Sequence, residues 1–265
     1  MSSLTTFKEM QKEGWAQFGP LEMMTTQPAA RLVRHAGVKS DMRVLDVGCG
    51  TGVVAITAAR VGANVTGADL TPELLALARE NGRIADVEVE WLEADVEELP
   101  FANEQFDVVL SQFAHMFAPQ PEVAISEMLR VLRRGGTITF STWPPELLVG
   151  STAALAARYM PAPPLGIASP SLWGDPAIVR ERLGDAVEEV VFDRDCMLVP
   201  ALSVQHFRQR VETSAGPVIK MVQHLTAAEP ERLQAFRRDF DAIVNQYFEG
   251  NVVRQDYLLT RARKV

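Results

Sequence analysis

The sequence is poor in cysteine and has no long uncharged apolar run. Its 265 residues include only two cysteines, Cys49 and Cys196, which are too few for a disulfide framework. His206 and His224 lack the close spacing with each other or with cysteine that a zinc site requires, so we expect no metal. The first twenty residues carry lysine and glutamate instead of a signal-peptide core, and no apolar run reaches the ~18 residues of a membrane span. We therefore expect a cytoplasmic protein without a membrane span.

Positive charge is also in short supply. The formal net charge is -8 and the isoelectric point is near 5.1, which argues against a general nucleic-acid or anionic-membrane binder. The partner that we expect is a small molecule, with no nucleic acid, and the chain is expected to be a monomer or a homodimer. The length is sufficient for one sizeable core, so residues 1–265 are predicted to form a single domain.

The most informative stretch begins with Val44 to Val47, a short apolar run typical of a strand buried on both faces. It breaks into Gly48, Gly50 and Gly52, where the backbone can turn sharply and approach a ligand closely. An alanine-rich helix is predicted directly afterwards, over 53–61. This order of strand, glycine loop and helix is typical of a nucleotide-binding unit.

A second strand, Asn64 to Ala68, follows the helix and ends at Asp69, where a carboxylate can bind ribose hydroxyls. Two cofactor classes use this arrangement. A dinucleotide site has the pattern G-x-G-x-x-G, but Val53 replaces its third glycine. Asp46 lies just upstream of the loop, where its charge would repel a pyrophosphate and suit a cationic ligand.

The run VLDVGCGTG resembles the first motif of the class I S-adenosylmethionine-dependent methyltransferases, D/E-x-G-x-G-x-G, which corresponds here to Asp46 to Gly52. The resemblance is close over about residues 30–145 and extends to the branch that includes ubiquinone and menaquinone biosynthesis enzymes. Arg134 departs from the proline that similar proteins carry before a glycine pair. The resemblance implies an α/β, Rossmann-like, seven-stranded and mostly parallel sheet in the order 3-2-1-4-5-7-6, with strand 7 antiparallel and helices on both faces.

The resemblance also implies a cofactor, S-adenosyl-L-methionine, with S-adenosyl-L-homocysteine as product. The glycine loop would lie under its methionine part, Asp69 would bind the ribose, and Asp95 and the backbone of Val96 would bind the adenine. Ser111 and Gln112 would line the floor of the site. The predicted cofactor-binding residues are Asp46, Gly48, Cys49, Gly50, Thr51, Gly52, Asp69, Leu70, Asp95, Val96, Ser111 and Gln112.

His115 follows the fourth predicted strand, at the edge of the sheet where ligands bind in open α/β folds. It is a candidate general base that could accept a proton from a nucleophilic oxygen or nitrogen. A packed, structural histidine is the alternative. Methyl transfer from a sulfonium often needs no protein base, because alignment of the nucleophile, methyl and sulfur supplies much of the rate.

The apolar and turn patterns define the remaining elements, and the resemblance implies three regions. Residues 1–40 are predicted to be a helical lid, 41–145 the cofactor-binding core, and 146–265 a C-terminal half with a helical cap inserted at about 201–250. The predicted strands are Val44–Val47, Asn64–Ala68, Val87–Leu92, Phe106–Leu110, Thr137–Thr142, Val187–Val199 and Asp256–Lys264. The predicted cap helices are Ser203–Glu212 and Glu229–Tyr247.

Aromatic side chains flank this core, and a Pro/Gly-rich loop over 161–176 is predicted to form part of a substrate wall. The candidate substrate-binding residues are Trp15, Phe18, His115, Trp143, Tyr159 and Trp173. The alternative for these rings is that they pack in the core. The apolar segment 143–173 favours a hydrophobic, aromatic acceptor.

The function predicted from the sequence is methyl transfer from S-adenosylmethionine to a small molecule, with O-, N- and C-methylation all left open. One rival is a nicotinamide-dependent oxidoreductase, which Val53 and the absence of a Tyr-x-x-x-Lys pair disfavour. The other rival is a module that binds the cofactor without catalysis, which the fold alone does not exclude.

Overall fold

The computed structural model describes residues 3–161 and 167–265, in which helices and strands alternate through the first half. The helices are α1 Ser3–Trp15, α2 Glu22–Ala36, α3 Val53–Ala59, α4 Pro72–Ile84, α5 Pro121–Val131, α6 Leu148–Ala157, α7 Pro176–Leu183, α8 Val204–Ser214, α9 Gly216–Ala228 and α10 Pro230–Val244. The strands are β1 Arg43–Val47, β2 Asn64–Asp69, β3 Glu90–Glu93, β4 Phe106–Gln112, β5 Leu132–Thr142, β6 Val187–Pro200, β7 Phe248–Glu249 and β8 Val252–Lys264.

The strands form one sheet in the order β3-β2-β1-β4-β5-β8-β6. Strands β1 to β5 pair in parallel, whereas β8 is antiparallel to both β5 and β6. The predicted α/β, Rossmann-like fold and the order of its strands are therefore confirmed. The predicted count of seven is wrong, because the sheet has eight strands. The extra strand is the two-residue β7, which turns into β8 through Gly250 and Asn251, both at positive φ.

The two faces of the sheet carry separate apolar clusters. Helices α2 and α3 cover one face, where Leu32 and Val54 pack against Val44 and Leu110. Helices α5 and α7 contribute to the other face, where Phe140 is fully buried. Complete burial of a side chain of this kind contributes about 1.5–3 kcal/mol. The central strands are covered on both sides, which explains their almost continuous apolar sequences.

A third apolar cluster lies in the C-terminal cap, where α6, α8, α9 and α10 pack around Phe207, Leu225 and Phe236. Helix α9 lies between the two cap helices that the sequence predicts. Its first residues, Gly216 and proline, are typical of chain breaks, but proline is also tolerated in the first turn of a helix. Trp143 packs against this cluster and against both sheet clusters, so it joins the cap to the core.

Several boundaries differ from the predicted ones. Strand β3 begins at Glu90, and β5 extends back to Leu132, where it pairs with Phe106 across an irregular register. The predicted substrate wall includes residues 162–166, which lie outside the described part of the chain. No helix in the described ranges has the length and apolar character needed to cross a membrane.

Candidate functional site

The glycine loop lies between β1 and α3 at the carboxyl end of the sheet. The backbone N–H groups of Gly48 and Cys49 both donate to the carbonyl oxygen of Ala68, at 2.8 and 3.0 Å, which fixes the loop to β2. Gly48 and Gly52 have positive φ, and a Cβ atom there would lie 2.3 Å from Ala114 and 2.6 Å from the Trp91 ring. The loop therefore accepts no larger residue at these two positions.

Gly50 differs from the other two loop glycines. It also has positive φ, but a Cβ built on it would meet no described atom within 4 Å. The Cα of Gly50 therefore faces open space in the middle of the loop. This is the geometry expected where a main chain approaches a ligand closely.

Asp46 is buried beneath this loop, with 1% of its surface exposed. Its Oδ2 accepts a hydrogen bond from the Ala55 amide at 3.0 Å in the first turn of α3. Its Oδ1 has no partner within the described residues, and neither has the hydroxyl of Thr51. Burial raises the pKa of the Asp46 carboxyl to about 7. Asp46 Oδ1 and the Thr51 hydroxyl are thus buried acceptors at the glycine loop, and they suit a ligand that has a positively charged group with N–H or O–H donors.

Asp69 ends β2, as the sequence predicts, and its carboxylate is fixed by the backbone around it. Oδ2 accepts from the Gly50 amide and Oδ1 from the Thr71 amide, both at 2.8 Å. Burial raises the pKa of this carboxyl. Leu70, the next residue, is half-buried. The carboxylate is thus oriented by the same glycine loop that it borders.

Asp95 lies in the acidic loop after β3 and has a different kind of partner. Its Oδ1 accepts from the Glu97 amide at 2.9 Å, and its Oδ2 accepts from the Lys8 ammonium at 2.6 Å. Lys8 belongs to α1, so a helix distant in sequence contacts the predicted adenine-binding acid. The side chain of Val96, between the two acids, packs at the edge of a sheet cluster.

Ser111 and Gln112 end β4 next to β1. The Ser111 hydroxyl donates to the carbonyl oxygen of Val47 at 2.8 Å and accepts from the His115 amide at 3.1 Å. The Gln112 amide nitrogen donates to the carbonyl oxygen of Thr25 in α2 at 2.8 Å. Its oxygen is buried without a hydrogen-bond partner in the described part of the chain. Both side chains therefore connect the end of β4 to neighbouring elements.

His115 is only 1% exposed and packs between aromatic rings. Its ring centroid is 4.5 Å from that of Phe140 and 4.6 Å from that of Trp173. Neither ring nitrogen has a hydrogen-bond partner in the described ranges. Burial, with a smaller contribution from Arg182, lowers the pKa of the imidazole to about 3. The ring is therefore neutral at physiological pH and enclosed in this form, and its catalytic role stays a prediction.

The other predicted substrate-binding rings make four separate sets of ring contacts. Trp15 of α1 packs against Phe117 and, edge-on, against Phe18. Trp143 stacks on Phe113 with ring centroids 3.8 Å apart. Trp173, which is 1% exposed, lies beside His115 in the core, and Tyr159 packs on Phe236 inside the cap. The structure thus brings Trp15 and Phe18 together, and Trp143 and Tyr159 both pack against the cap cluster.

Phe113 has an unusual backbone for a bulky residue. It follows β4 with φ at 56°, in the left-handed region that favours glycine. Its amide donates to the carbonyl oxygen of Ser141 at 3.0 Å, and its ring stacks on Trp143 and meets Tyr257 edge-on. Strain of this kind often occurs at ligand sites, and here it lies at the predicted acceptor end of the sheet.

The sequence reasoning missed two features of the site. One is Lys8 with Lys12, which lie one helical turn apart on α1 and pair with acids on both sides of Asp95. The sequence signal for this contact is that the two lysines are four residues apart, on one face of α1, and that the acids at 93, 95 and 97 alternate along the chain. The other is Trp91, whose ring lies against three glycines. These are Gly52, Gly67 and Gly82.

Comparison with known proteins agrees with this geometry. A family model described as a methyltransferase domain matches residues 45–140. The uncharacterized protein Rv1403c of Mycobacterium tuberculosis is 33% identical over all of this chain and 93% of its own length. The ubiquinone biosynthesis O-methyltransferase of Xanthomonas oryzae pv. oryzae is 33% identical over 60% of this chain and 68% of its own.

Solved structures share the fold at lower identity. Phosphoethanolamine N-methyltransferase 2 of Haemonchus contortus, in complex with S-adenosyl-L-methionine, has a TM-score of 0.60 and 17% identity, covering 100% of this chain and 60% of that one. The YcgJ protein of Bacillus subtilis has a TM-score of 0.58 and 19% identity, with 90% and 99% covered. The motif, the sheet order and the sequence relatives lead to one conclusion: the chain belongs to the class I S-adenosylmethionine-dependent methyltransferases.

Proposed function

We propose that the chain transfers a methyl group from S-adenosylmethionine to a small hydrophobic acceptor at the carboxyl ends of β1, β2 and β4. The observation that carries this proposal is the glycine loop. Its middle residue, Gly50, faces open space and donates its amide to Asp69, and the strand that leads into the loop carries the buried Asp46. This open space lies in the loop that carries the family motif.

The residues present fit this cofactor. Asp46 Oδ1 and the Thr51 hydroxyl are buried acceptors without partners, which suit the ammonium group of the methionine part. Asp69 is a fixed carboxylate at the end of β2, where it would accept hydrogen bonds from the ribose hydroxyls. Asp95 would accept from the adenine amino group, and Leu70 and Val96 would flank the ring.

The cofactor supplies an activated methyl group on a positively charged sulfur, so the protein need not activate the leaving group. The chain's own residues have to hold the nucleophile in line and exclude water. Gln112 is anchored to α2 by its amide nitrogen and retains an unpaired buried oxygen. This oxygen is suited to accept a hydrogen bond from an acceptor hydroxyl or amino group and so orient it.

We attribute the rate of methyl transfer to alignment of the acceptor with the methyl group, and this mechanism requires no general base. A general base must reach the proton that it removes, and His115 is enclosed by Phe140 and Trp173 with its pKa lowered to about 3. An imidazole of such low basicity is a poor proton acceptor from a phenol or an ammonium. The proton of the acceptor group passes to water instead, and an acidic acceptor group loses it more readily.

Support for a hydrophobic acceptor comes from the apolar side chains around the proposed site. Trp143 joins the cap to both faces of the sheet, and Met24 of α2 packs against the cap cluster. Trp15 of α1 covers the turn at Phe117 that follows β4. Apolar and aromatic walls with few polar groups are typical of sites for small hydrophobic ligands. The similarity to a ubiquinone biosynthesis O-methyltransferase favours transfer to an oxygen of the acceptor.

The test is a methyl-transfer assay with purified protein, radiolabelled S-adenosylmethionine and a panel of catechols, phenols, hydroquinones and aliphatic amines. We expect labelled product and S-adenosylhomocysteine with at least one ring hydroxyl acceptor and none with the amines. Asp69→Asn serves as the matched control because it preserves side-chain size. Cofactor binding without transfer to any acceptor would favour the module that binds without catalysis.

A further inference from the structure

Helix α1 is attached to the acceptor side of the site and to the cap. The Gln11 side-chain amide donates to the carbonyl oxygen of Phe117 at 2.9 Å, and the Trp15 ring lies 4.8 Å from the Phe117 ring. Gly14 touches Gly216 at the start of α9, where an added Cβ would lie 2.5 Å from the Gly14 backbone. The helix therefore closes over the site as one piece with the cap.

Lys8 makes a largely buried polar contact between this helix and the core. Its ammonium lies 2.6 Å from Asp95 Oδ2 and 2.6 Å from Glu97 Oε2, and its side chain is 21% exposed. Burial opposes the charge of Lys8, but hydrogen bonds to Asp95 and Glu97 outweigh it, so the pKa of the ammonium is raised. The lysine is charged and shared between two carboxylates.

The two carboxylates differ in how firmly they are held. The Glu97 side chain is 3% exposed and also accepts from the Gln120 amide at 2.6 Å and from its side-chain nitrogen at 3.0 Å. Asp95 is 25% exposed, and its other oxygen accepts only a local hydrogen bond from the Glu97 amide. Glu97 is thus a fixed anchor for Lys8, whereas Asp95 is the exchangeable partner.

Both oxygens of Asp95 are therefore occupied in this form. In the proposed function, Asp95 accepts a hydrogen bond from the adenine amino group, and Lys8 lies on the oxygen that points away from the local backbone. An ammonium at this distance and a neutral amino group compete for the same acceptor, and the charged donor makes the stronger hydrogen bond. A carboxylate oxygen has two lone pairs, so the Lys8 ammonium alone does not exclude adenine, but it holds α1 against the acceptor that adenine needs.

We propose that Lys8 is an internal competitor of the adenine group, so that α1 latches the cofactor site shut and must release Asp95 before the cofactor enters. This inference rests on the proposed function. The apparent affinity for the cofactor then equals the affinity of the open form multiplied by the fraction of molecules that are open. Once the cofactor is bound, the anchor at Glu97 allows α1 to close again without Asp95.

Lys12 provides a matched control on the same helix. Its ammonium lies 2.6 Å from Glu93 Oε1, but Glu93 is half exposed and is not the predicted adenine ligand. An exposed pair of this kind contributes little to closure. Removing Lys12 therefore changes the charge of α1 by the same amount as removing Lys8, without freeing Asp95.

The experiment measures the association rate of S-adenosylhomocysteine by stopped-flow tryptophan fluorescence in wild type, Lys8→Met and Lys12→Met. We expect Lys8→Met to bind about tenfold faster than wild type, because the open fraction is no longer limiting, and Lys12→Met to stay within about twofold. Salt screens ion pairs, and the ligand carries no net charge. The wild-type rate is thus expected to rise with sodium chloride and the Lys8→Met rate to stay flat.

The outcomes are separable. Slower or weaker binding by Lys8→Met, or an unchanged rate beside normal wild-type binding, overturns the latch and leaves the proposed function intact. No binding by any of the three proteins overturns the proposed function and the latch together. The double variant Lys8→Met/Glu97→Gln removes the unpaired buried charge and keeps the test valid if Lys8→Met folds poorly. It is expected to bind as fast as Lys8→Met.

Discussion

The ribose end and the adenine end of the proposed cofactor site are built in different ways. Asp69 is held by two backbone amides, from Gly50 and Thr71, that belong to the same βαβ unit. Asp95 is held by a local amide and by Lys8, a side chain 87 residues away on a helix that covers the site. The first carboxylate is preorganised by the core, and the second is occupied by a group that can be displaced.

In this account the ribose end of the site is rigid, whereas access to the adenine end depends on whether α1 is closed over it. The backbone amides of Gly50 and Thr71 cannot leave Asp69 without local unfolding, so the ribose acid is already oriented for a ligand. A lysine ammonium on a surface helix can leave at a modest cost, because its charge is readily solvated.

The largest effect is expected for Asp69→Asn. The amide retains one oxygen acceptor but loses the charge, and its nitrogen faces either the Gly50 or the Thr71 N–H as a second donor. Each charge-assisted hydrogen bond contributes about 1.5–3 kcal/mol, so S-adenosylhomocysteine should bind about a hundredfold more weakly. Calorimetric titration measures this change. Equal affinity in a folded variant would remove Asp69 from the site.

A second prediction concerns pH and the buried acid beneath the ribose end. Burial raises the pKa of Asp46 from 3.8 to about 7 in the folded chain. Between these values the folded state binds a proton that the unfolded state has lost, so this group makes the unfolding free energy fall as pH rises from about 4 to 7. Asp46→Asn lacks that fall and should be more stable than wild type above pH 7, by at most ~4 kcal/mol.

Urea unfolding of both proteins at pH 5 and pH 8 measures this difference. The gap between variant and wild type should widen at the higher pH, because wild-type Asp46 must ionise in a buried position there. His115 titrates with the opposite sign in an overlapping range, but it is common to both proteins and cancels in the difference. Parallel pH profiles for the two proteins would show that Asp46 ionises normally.

A smaller effect is expected at the adenine end. Asp95→Asn retains an oxygen for the adenine amino group and removes the ion pair with Lys8. The lost acceptor charge weakens binding while the loosened latch strengthens it, so the affinity for S-adenosylhomocysteine should change by less than about fivefold. The association rate should rise, as in Lys8→Met. A hundredfold loss, as at Asp69, would show that both ends are equally preorganised.

The smallest effect is expected for His115→Leu, which belongs to neither end. Leucine fills a similar apolar space between Phe140 and Trp173 and leaves no unpaired ring nitrogen. We expect turnover within about twofold of wild type and unchanged cofactor affinity, because an enclosed neutral imidazole is not required for methyl transfer. Loss of turnover by two or more orders of magnitude in steady-state assays would establish His115 as the base.

The sequence is sufficient to predict the strand, loop and helix around Asp69, because the residues that form them are local to one motif. Asp46, the three loop glycines and Asp69 lie within 24 residues, and their spacing fixes the strand, turn and helix that hold them. The order of the large strands follows from the same fold. The two-residue β7 was not predictable by pattern, because a strand of that length has no periodicity.

The sequence is insufficient for the adenine end and the cap because their contacts are long-range. Lys8 and Glu97 are ordinary surface charges by composition, and only the closed position of α1 brings them together. Helix α9 was missed because glycine and proline at its start resemble a break. His115 could be placed at the end of β4, but its enclosure by Trp173 depends on a segment far away in sequence.

The most direct test of the account is isothermal titration of the purified chain with S-adenosylhomocysteine, run beside NADH. The account predicts saturable binding of S-adenosylhomocysteine at one site per chain and no binding of NADH, because Val53 and Asp46 disfavour a pyrophosphate. Binding of NADH alone would contradict the cofactor assignment. Binding of neither would contradict the assignment of the glycine loop as a cofactor site.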